Sequence, residues 1–170
     1  MHTLSIAVVT FNRARYLARA LRSALAQSCQ QVNIEVLVVD DGSTDRTARV
    51  LDVFSDQIRI HTFDQNLGVG AASQAALENA TGDFFVRLDS DDYLSANFSL
   101  SMVPILMHNT EWDWVSCDLL LMDDDEVPIG RESRKTVDQV LDYGAGILFR
   151  TQVLREAGGY DPLRVREDFL

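Results

Sequence analysis

Three aspartates stand close together in the segment Asp89-Ser90-Asp91-Asp92, directly after an apolar run. If the strand continues through Asp91, the carboxylates of Asp89 and Asp91 project to one face. Like charges this close are unfavourable unless a cation lies between them or one group is protonated. Aspartate, serine and water supply hard oxygen ligands, which favour Mg²⁺ or Mn²⁺ over zinc. The segment therefore predicts a divalent metal site; the alternative is that these acids only cap the following turn.

A second acidic segment, Asp40-Asp41-Gly42-Ser43, follows the apolar run 34–39. One interpretation is an Asx turn followed by a helix cap, which Ser43 alone can provide. Two aspartates exceed what a cap needs, so we expect at least one of them to contact a ligand. A divalent metal on the first segment reverses the local charge and allows this acidic region to hold a diphosphate.

Strands and helices alternate along the first half of the chain. Helical spacing predicts a helix at 16–25 capped by Asn12, and another from 47 to 54 capped by Ser43 or Thr44. This alternation predicts an α/β fold with a largely parallel sheet, in which ligands bind at the carboxyl ends of the strands. Apolar runs predict strands at 4–10, 34–39, 58–63 and 84–88, and an alanine-rich helix is expected at 71–80.

The second half is less regular. We interpret it as an extension of a first half that resembles nucleotide-binding domains. We expect a helix at 100–107 broken by Pro104 and a strand at 114–122. A helix at 137–141, a strand at 147–149 and a short helix at 153–157 follow. No repeat or low-complexity linker interrupts the sequence, so we expect one domain.

Composition excludes several classes of protein. The 170 residues contain 46% hydrophobic and 24% charged residues, as in ordinary soluble domains. The net charge of −11 argues against a nucleic-acid partner. No apolar run approaches the roughly 20 residues that a membrane span needs. Cys29 and Cys117 have neither disulfide-framework nor metal spacing, which predicts a reducing compartment and a cytoplasmic location.

Three functional classes fit the two acidic segments. A phosphate-accepting receiver domain also has acids at strand ends, but here a complete strand–helix unit precedes Asp40, and Lys135 does not end an apolar strand. A nucleotidyltransferase shares the metal–diphosphate chemistry, but a glycine-rich loop with a lysine is missing near the start of the chain. A sugar transferase with a nucleotide donor needs a metal-bound diphosphate and one base, and this chain offers both.

Seven segments that occur in order resemble the family 2 glycosyltransferases, inverting enzymes of GT-A fold. The similarity runs from about residue 4 to the end, and VDDGS, LDSDD and the final acidic pair are specific as a combination. The segments are 5–13 (SIAVVTFNR), 37–47 (LVVDDGSTDRT), Asn66-Leu67-Gly68, 82–92 (GDFFVRLDSDD), 144–150 (GAGILFR), 158–161 (GGYD) and Glu167-Asp168.

The resemblance implies a role for each matching residue. Asp41 is expected to bind the nucleobase, commonly uracil, while Asp89 lies near the ribose and Asp91 binds Mn²⁺ or Mg²⁺ with support from Asp92. Asp168 of the final pair is expected to be the general base. The remaining donor-binding residues that the resemblance implies are Thr10, Phe11, Asn12, Asn66 and Gly68.

The resemblance also implies the reaction, which is transfer of a sugar from a nucleoside diphosphate, most often UDP, to an acceptor hydroxyl. Residues from about 1 to 95 form the donor half and residues from about 96 to 170 the acceptor half. The acceptor is expected to be a saccharide or a glycolipid, and peripheral contact with the inner face of a membrane stays open if it is a lipid.

Three departures from the family pattern leave alternatives open. Many members carry Arg-Asn where this chain has Ser73-Gln74, and the Gln-x-x-Arg-Trp motif of processive members is absent. The sequence ends at Leu170, shortly after Asp168, so we expect either a catalytic-domain fragment or an incomplete acceptor side. The alternative to an active transferase is thus a module that binds a nucleotide sugar without transferring it.

Overall fold

The computed structural model describes residues 1–133 and 146–160. The helices are α1 Ala14–Leu25, α2 Thr47–Phe54, α3 Val69–Asn79, α4 Phe98–His108 and α5 Thr151–Glu156. The strands are β1 His2–Thr10, β2 Val32–Asp40, β3 Arg59–Thr62, β4 Phe84–Asp89, β5 Trp114–Ser116, β6 Leu119–Met122, β7 Pro128–Glu132 and β8 Ile147–Arg150.

A six-stranded sheet in the order β3-β2-β1-β4-β8-β5 forms the centre of the fold. Strands β3, β2, β1 and β4 are parallel, whereas β8 is antiparallel to both β4 and β5. Thr10 is in register with Asp40, and Val9 with Asp89, so the ends of β1, β2 and β4 meet at one edge. The predicted α/β fold with a largely parallel sheet is confirmed, and both acidic segments begin at this edge.

Strand β1 is buried on both faces because helices cover both sides of the sheet, as is usual for parallel sheets. Its alternate residues contribute to two cores. Ile6 and Val8 belong to a core shared with α1, α2 and α4, and Ala7 and Val9 to a core shared with α3 and α5. Helix α1 buries Leu17, Ala20, Leu21 and Ala24, the helical spacing that the sequence predicted.

The predicted strand at 114–122 is two strands in two different sheets. Strand β5 pairs with β8 in the main sheet, whereas β6 pairs with β7 in a separate two-stranded hairpin. Leu120 and Leu121 are 60% and 44% exposed. Apolar composition alone therefore did not indicate burial in the main sheet here.

Helix α4 continues through Pro104 and is not broken there. Proline removes the hydrogen bond to the carbonyl four residues earlier, which belongs to Leu100. Leu100 is 47% exposed, so the missing hydrogen bond lies at an exposed position of the helix. The predicted helix at 137–141 lies outside the described residues. Among the described helices, every one is too short or too polar to cross a membrane.

Glu35 of β2 connects three parts of the chain away from the acidic segments. Its carboxylate accepts hydrogen bonds from the hydroxyls of Ser5 and Thr81 and from Thr81 N at 2.9 Å, and it forms an ion pair with Arg59. Burial acts to raise the pKa of Glu35, but the hydrogen bonds outweigh burial, and the pKa is lowered. An ionised Glu35 therefore stabilises this part of the sheet.

Candidate functional site

Asn12 joins the loop after β1 to the loop after β2. Its backbone is left-handed, with φ of 52°, and its Oδ1 accepts hydrogen bonds from Thr44 N at 2.8 Å and Asp45 N at 3.2 Å. Asn12 N in turn donates to Ser43 Oγ at 2.9 Å. Two loops that the sequence separates are thus fixed to each other at the carboxyl edge of the sheet.

The helix caps differ from the sequence prediction, because Asp45 serves both helices. Its Oδ2 accepts from Ala14 N of α1 at 3.2 Å, and its Oδ1 accepts from Thr47 N of α2 at 2.8 Å. The predictions that Asn12 caps the first helix and that Ser43 or Thr44 caps the second are wrong. The reason is tertiary: the side chains of Asn12 and Ser43 are engaged between the two loops.

Asp41 is 3% exposed and fixes the loop that follows β3. Its Oδ1 accepts from Leu67 N at 2.7 Å, and its Oδ2 accepts from Gly68 N at 2.9 Å. Gly42 permits this approach, since a Cβ at that position would lie 2.5 Å from the backbone carbon of Gln65. The loops after β1, β2 and β3 thus form one bonded unit.

The remaining residues expected at the nucleotide lie along the same unit. Thr10 is 4% exposed, and its buried hydroxyl has no hydrogen-bond partner among the described residues. Phe11 is 40% exposed, and Asn66 is exposed beside Leu67. Asp40 stabilises the turn after β2, since its Oδ1 accepts from Ser43 N at 3.1 Å, three residues on. Asp40 thus shapes the turn and Asp41 holds the loop 66–68, while the ligand contact expected of one of them stays a prediction.

Asp89 and Asp91 do not share a face through strand alternation, because β4 ends at Asp89. Asp89 faces the guanidinium of Arg87, whose Nε lies 3.2 Å from Oδ1 and whose Nη2 lies 3.3 Å from Oδ2. The Oδ2 of Asp91 lies 3.3 Å from Arg13 Nε. Each carboxylate is therefore neutralised by a different arginine.

Asp92 completes the acidic segment and experiences the charges of the other two aspartates. Removal from water, followed by repulsion from Asp89 and Asp91, raises the pKa of Asp92 to about 6, although the residue as a whole is exposed. The positive charges of Arg19 and Arg87 act in the opposite direction. The pKa of Asp92 is thus raised first by removal of its carboxylate from water and then by the two neighbouring carboxylates.

Asp91 presents a partly exposed carboxylate beside the end of β4. The side chain of Asp91 is 37% exposed, and its carboxylate is a hard oxygen donor. Within residues 1–133 and 146–160, no group of three or more His, Cys, Asp or Glu side chains forms a complete metal site. Mg²⁺ commonly binds through one or two carboxylates together with substrate phosphates, and Asp91 suits that arrangement.

A cleft of about 880 Å³ opens beside Asp91 and Asp92. Residues of α1, of the loop after β4 and of the β6–β7 hairpin line it. Arg19 joins the walls, since its Nη2 donates to the Asp91 carbonyl at 2.5 Å and its Nη1 lies 3.2 Å from Glu126 Oε1. Its guanidinium also lies over the Tyr93 ring, 4.7 Å from the centroid. The cleft thus offers aromatic and polar groups next to the acidic segment.

The structure gives Ser73 and Gln74 specific neighbours. Ser73 is fully buried; its hydroxyl donates to Val69 O at 2.7 Å and lies 3.4 Å from Arg87 Nη1. The Oε1 of Gln74 accepts from Tyr160 N at 2.9 Å. Sequence reasoning missed Arg87 and Tyr160 as parts of the site. The signal was a single arginine inside an otherwise apolar strand.

Two expectations lie outside the described residues. Asp168 and its neighbour Glu167 are in the range 161–170, and Lys135 is in the range 134–145. The role of Asp168 as general base therefore stays a prediction from the resemblance.

The family model for glycosyl transferase family 2 matches residues 5–118 of this chain. The matched range contains Thr10, Asp41, Asp89 and Asp91. The chain belongs to glycosyl transferase family 2. It is 32% identical over 126 residues to an uncharacterised glycosyltransferase of Haemophilus influenzae, covering 70% of this chain and 50% of the relative. The chain thus spans about half the length of that relative.

Solved structures confirm the GT-A fold. The TarS fragment 1-349 of Staphylococcus aureus, solved with UDP, superposes with a TM-score of 0.74 at 24% identity, over 98% of this chain and 52% of that one. The mannosyltransferase PcManGT of Pyrobaculum calidifontis, solved with GDP-Man and Mn²⁺, gives a TM-score of 0.71 at 21% identity, over 94% of this chain and 48% of that one.

Proposed function

We propose that this chain is the catalytic region of an inverting, metal-dependent glycosyltransferase that uses a UDP-sugar donor. The observation that carries the proposal is the meeting of Thr10, Asp41, Asp89 and Asp91 at one edge of the sheet, on loops that hydrogen bonds hold together. Ligands of open α/β sheets bind at this edge. Membership of the family and the nucleotide complexes of the two fold neighbours support a nucleotide sugar as the ligand.

Residues from about 1 to 95 would bind the donor. Its nucleobase would lie against residues 10–12, Asp41 and the loop 66–68. Asp89 would contact the ribose, and Asp91, supported by Asp92, would hold Mn²⁺ or Mg²⁺. A bound divalent cation supplies Lewis-acid stabilisation of the diphosphate leaving group. UDP is favoured over other nucleotides by the uracil role that the resemblance gives to Asp41.

Residues from about 96 to 170 would bind the acceptor, a saccharide or a glycolipid, with the cleft beside Asp91 and Tyr93 as its place. Asp168 would take the proton of the acceptor hydroxyl as the oxygen attacks the anomeric carbon of the donor. The bond from that carbon to the diphosphate breaks in the same displacement, so the anomeric configuration inverts. The proposed location is the cytoplasm, as the spacing of Cys29 and Cys117 predicts.

Calorimetric titration of UDP with and without Mn²⁺ tests the donor site. We expect Mn²⁺-dependent binding that Asp91→Ala abolishes, because the carboxylate that holds the cation is gone. Asp56→Ala, at an exposed aspartate after α2, is the matched control and should bind as the wild type does. Absence of binding to UDP, GDP and dTDP alike would refute the donor site, whereas binding of GDP alone would retain the enzyme class and change the donor.

A further inference from the structure

We infer that Arg87 is a positioning residue of the donor site, which orients the Asp89 carboxylate and is itself held by neighbours on α3 and by Tyr160. The inference rests on the proposed function, because it adds a residue to the same site. Its basis is the burial of Arg87 and the identity of the groups around its guanidinium.

The position of Arg87 is one at which folding alone favours an apolar side chain. Arg87 lies in β4, in register with Ala7 of β1, and is 7% exposed. Two residues earlier in the strand, Phe85 packs into the core shared with α3. Burying a guanidinium costs free energy unless a carboxylate and hydrogen bonds compensate for lost water. The cost indicates that the charge at this position serves the site.

Two atoms of the Arg87 guanidinium face the two oxygens of Asp89. The separations are 3.2 Å from Nε to Oδ1 and 3.3 Å from Nη2 to Oδ2. Nη2 donates a hydrogen bond to Oδ2, whereas Nε approaches Oδ1 as an ion pair without hydrogen-bond geometry. Two contacts from one rigid planar group restrict the rotation of the carboxylate more than the single ammonium of a lysine does. Asp89 is the acid that we propose for the ribose, so Arg87 determines how that acid is presented to the donor.

Helix α3 provides the second neighbour. The hydroxyl of Ser73 lies 3.4 Å from Arg87 Nη1, and Ser73 is fully buried. The guanidinium of Arg87 therefore reaches the buried face of α3.

Tyr160 provides the third neighbour. Its ring centroid lies 5.8 Å from the Arg87 guanidinium carbon, and its backbone N–H donates to Gln74 Oε1. Gly159, with φ of 69°, permits this contact, since a Cβ there would lie 2.3 Å from Gln74 Oε1. Arg87 therefore lies between the proposed ribose ligand and the ring of Tyr160.

Calorimetric affinity for UDP with Mn²⁺, measured together with the melting temperature, tests the inference. Arg87→Met keeps the length of the side chain without its charge and should weaken UDP binding by about tenfold or more, the usual cost of a lost charge-assisted hydrogen bond. Arg87→Lys, which keeps the charge but not the planar guanidinium, should weaken binding by a smaller factor.

Arg155→Met is the matched control, because Arg155 also donates to α3, at the carbonyls of Leu77 and Ala80, without contacting Asp89. It should lower the melting temperature and leave UDP affinity unchanged. If Arg87→Met binds UDP with wild-type affinity, the inference is overturned and the proposed function stands. If Arg87→Met does not fold, wild-type affinity of Arg87→Lys for UDP would overturn the inference in the same way. A wild-type protein that binds no nucleotide would overturn the inference together with the proposed function.

Discussion

Arg13 and Asp91 form an ion pair beside the cleft, with the Nε of Arg13 3.3 Å from the Oδ2 of Asp91. The carboxylate that we propose for the metal is thus already paired with a cation of the chain. A metal ion that binds Asp91 has to compete with this guanidinium for the same oxygen. The ion pair is partly exposed, so its free energy is modest and a metal can displace it.

Arg13→Gln should therefore strengthen Mn²⁺ binding in the absence of nucleotide. An exposed ion pair contributes about 0.2–1 kcal/mol, so we expect an increase in affinity of roughly 1.5- to 5-fold. Titration followed by the electron paramagnetic resonance of free Mn²⁺ measures this. Arg15→Gln, at an exposed position in the first turn of α1, is the control. Unchanged or weaker Mn²⁺ binding in Arg13→Gln would show that the pair does not oppose the metal.

Asp41→Asn should destabilise the protein as well as weaken UDP binding. An amide nitrogen would replace one of the two oxygens that accept from Leu67 N and Gly68 N, leaving a buried N–H opposite another donor. The expected loss is about 1–3 kcal/mol in the free energy of unfolding by urea. Asp64→Asn, at an exposed aspartate just before this loop, is the control. Loss of UDP binding with unchanged stability would show that Asp41 acts on the ligand alone.

Asp168→Asn should separate donor binding from chemistry. The asparagine cannot take the proton of the acceptor hydroxyl, so kcat should fall by about 10²- to 10⁴-fold. UDP affinity should stay at the wild-type value, because none of the proposed donor contacts involves Asp168. Calorimetry measures the affinity, and hydrolysis of the sugar donor serves as the assay until an acceptor is found. Full turnover by the variant would assign the base to another residue.

Ionisation of Glu35 makes the free energy of unfolding depend on pH. Its pKa is lowered in the folded protein from the ordinary value of 4.5, so the unfolded chain binds the proton more tightly. Glu35 therefore adds stability above pH 4.5, and this contribution is lost as the pH falls through the lower folded value. Glu35→Gln should cost about 1–2 kcal/mol at pH 7.

Thermal unfolding of wild type and Glu35→Gln between pH 7 and pH 3 checks the sign. The two melting temperatures should converge as the pH falls, because protonated glutamate and glutamine present similar groups to Ser5 and Thr81. A difference that is constant over this range would mean that the charge of Glu35 contributes nothing.

The first half of the fold could be predicted because its signals are local. Buried parallel strands such as β1 and β2 are continuous apolar runs, and α1 repeats its apolar residues at helical spacing. Because parallel strands end at the same edge of a sheet, the strand ends could be placed together. This was sufficient to predict that Asp41 and Asp89 lie in the same region of the molecule.

The caps could not be predicted because they depend on residues distant in the sequence. Asn12 is a plausible cap for α1 from its position alone, yet its Oδ1 accepts from Thr44 and Asp45, more than 30 positions away. Likewise, the apolar content of 119–122 does not reveal that these residues form an exposed hairpin. Arg87 is visible in the sequence as an isolated charge, but only the fold shows that Asp89, Ser73 and Tyr160 surround it.

The double role of Asp45 has a consequence for how this region opens. A single carboxylate accepts from the first amide of α1 and from the first amide of α2. Any local fluctuation that frees Asp45 therefore exposes both helix starts in one event. In native-state hydrogen exchange, the amides of Ala14 and Thr47 should report one shared opening free energy. The two helix starts and the loop between β2 and α2 form a single cooperative unit.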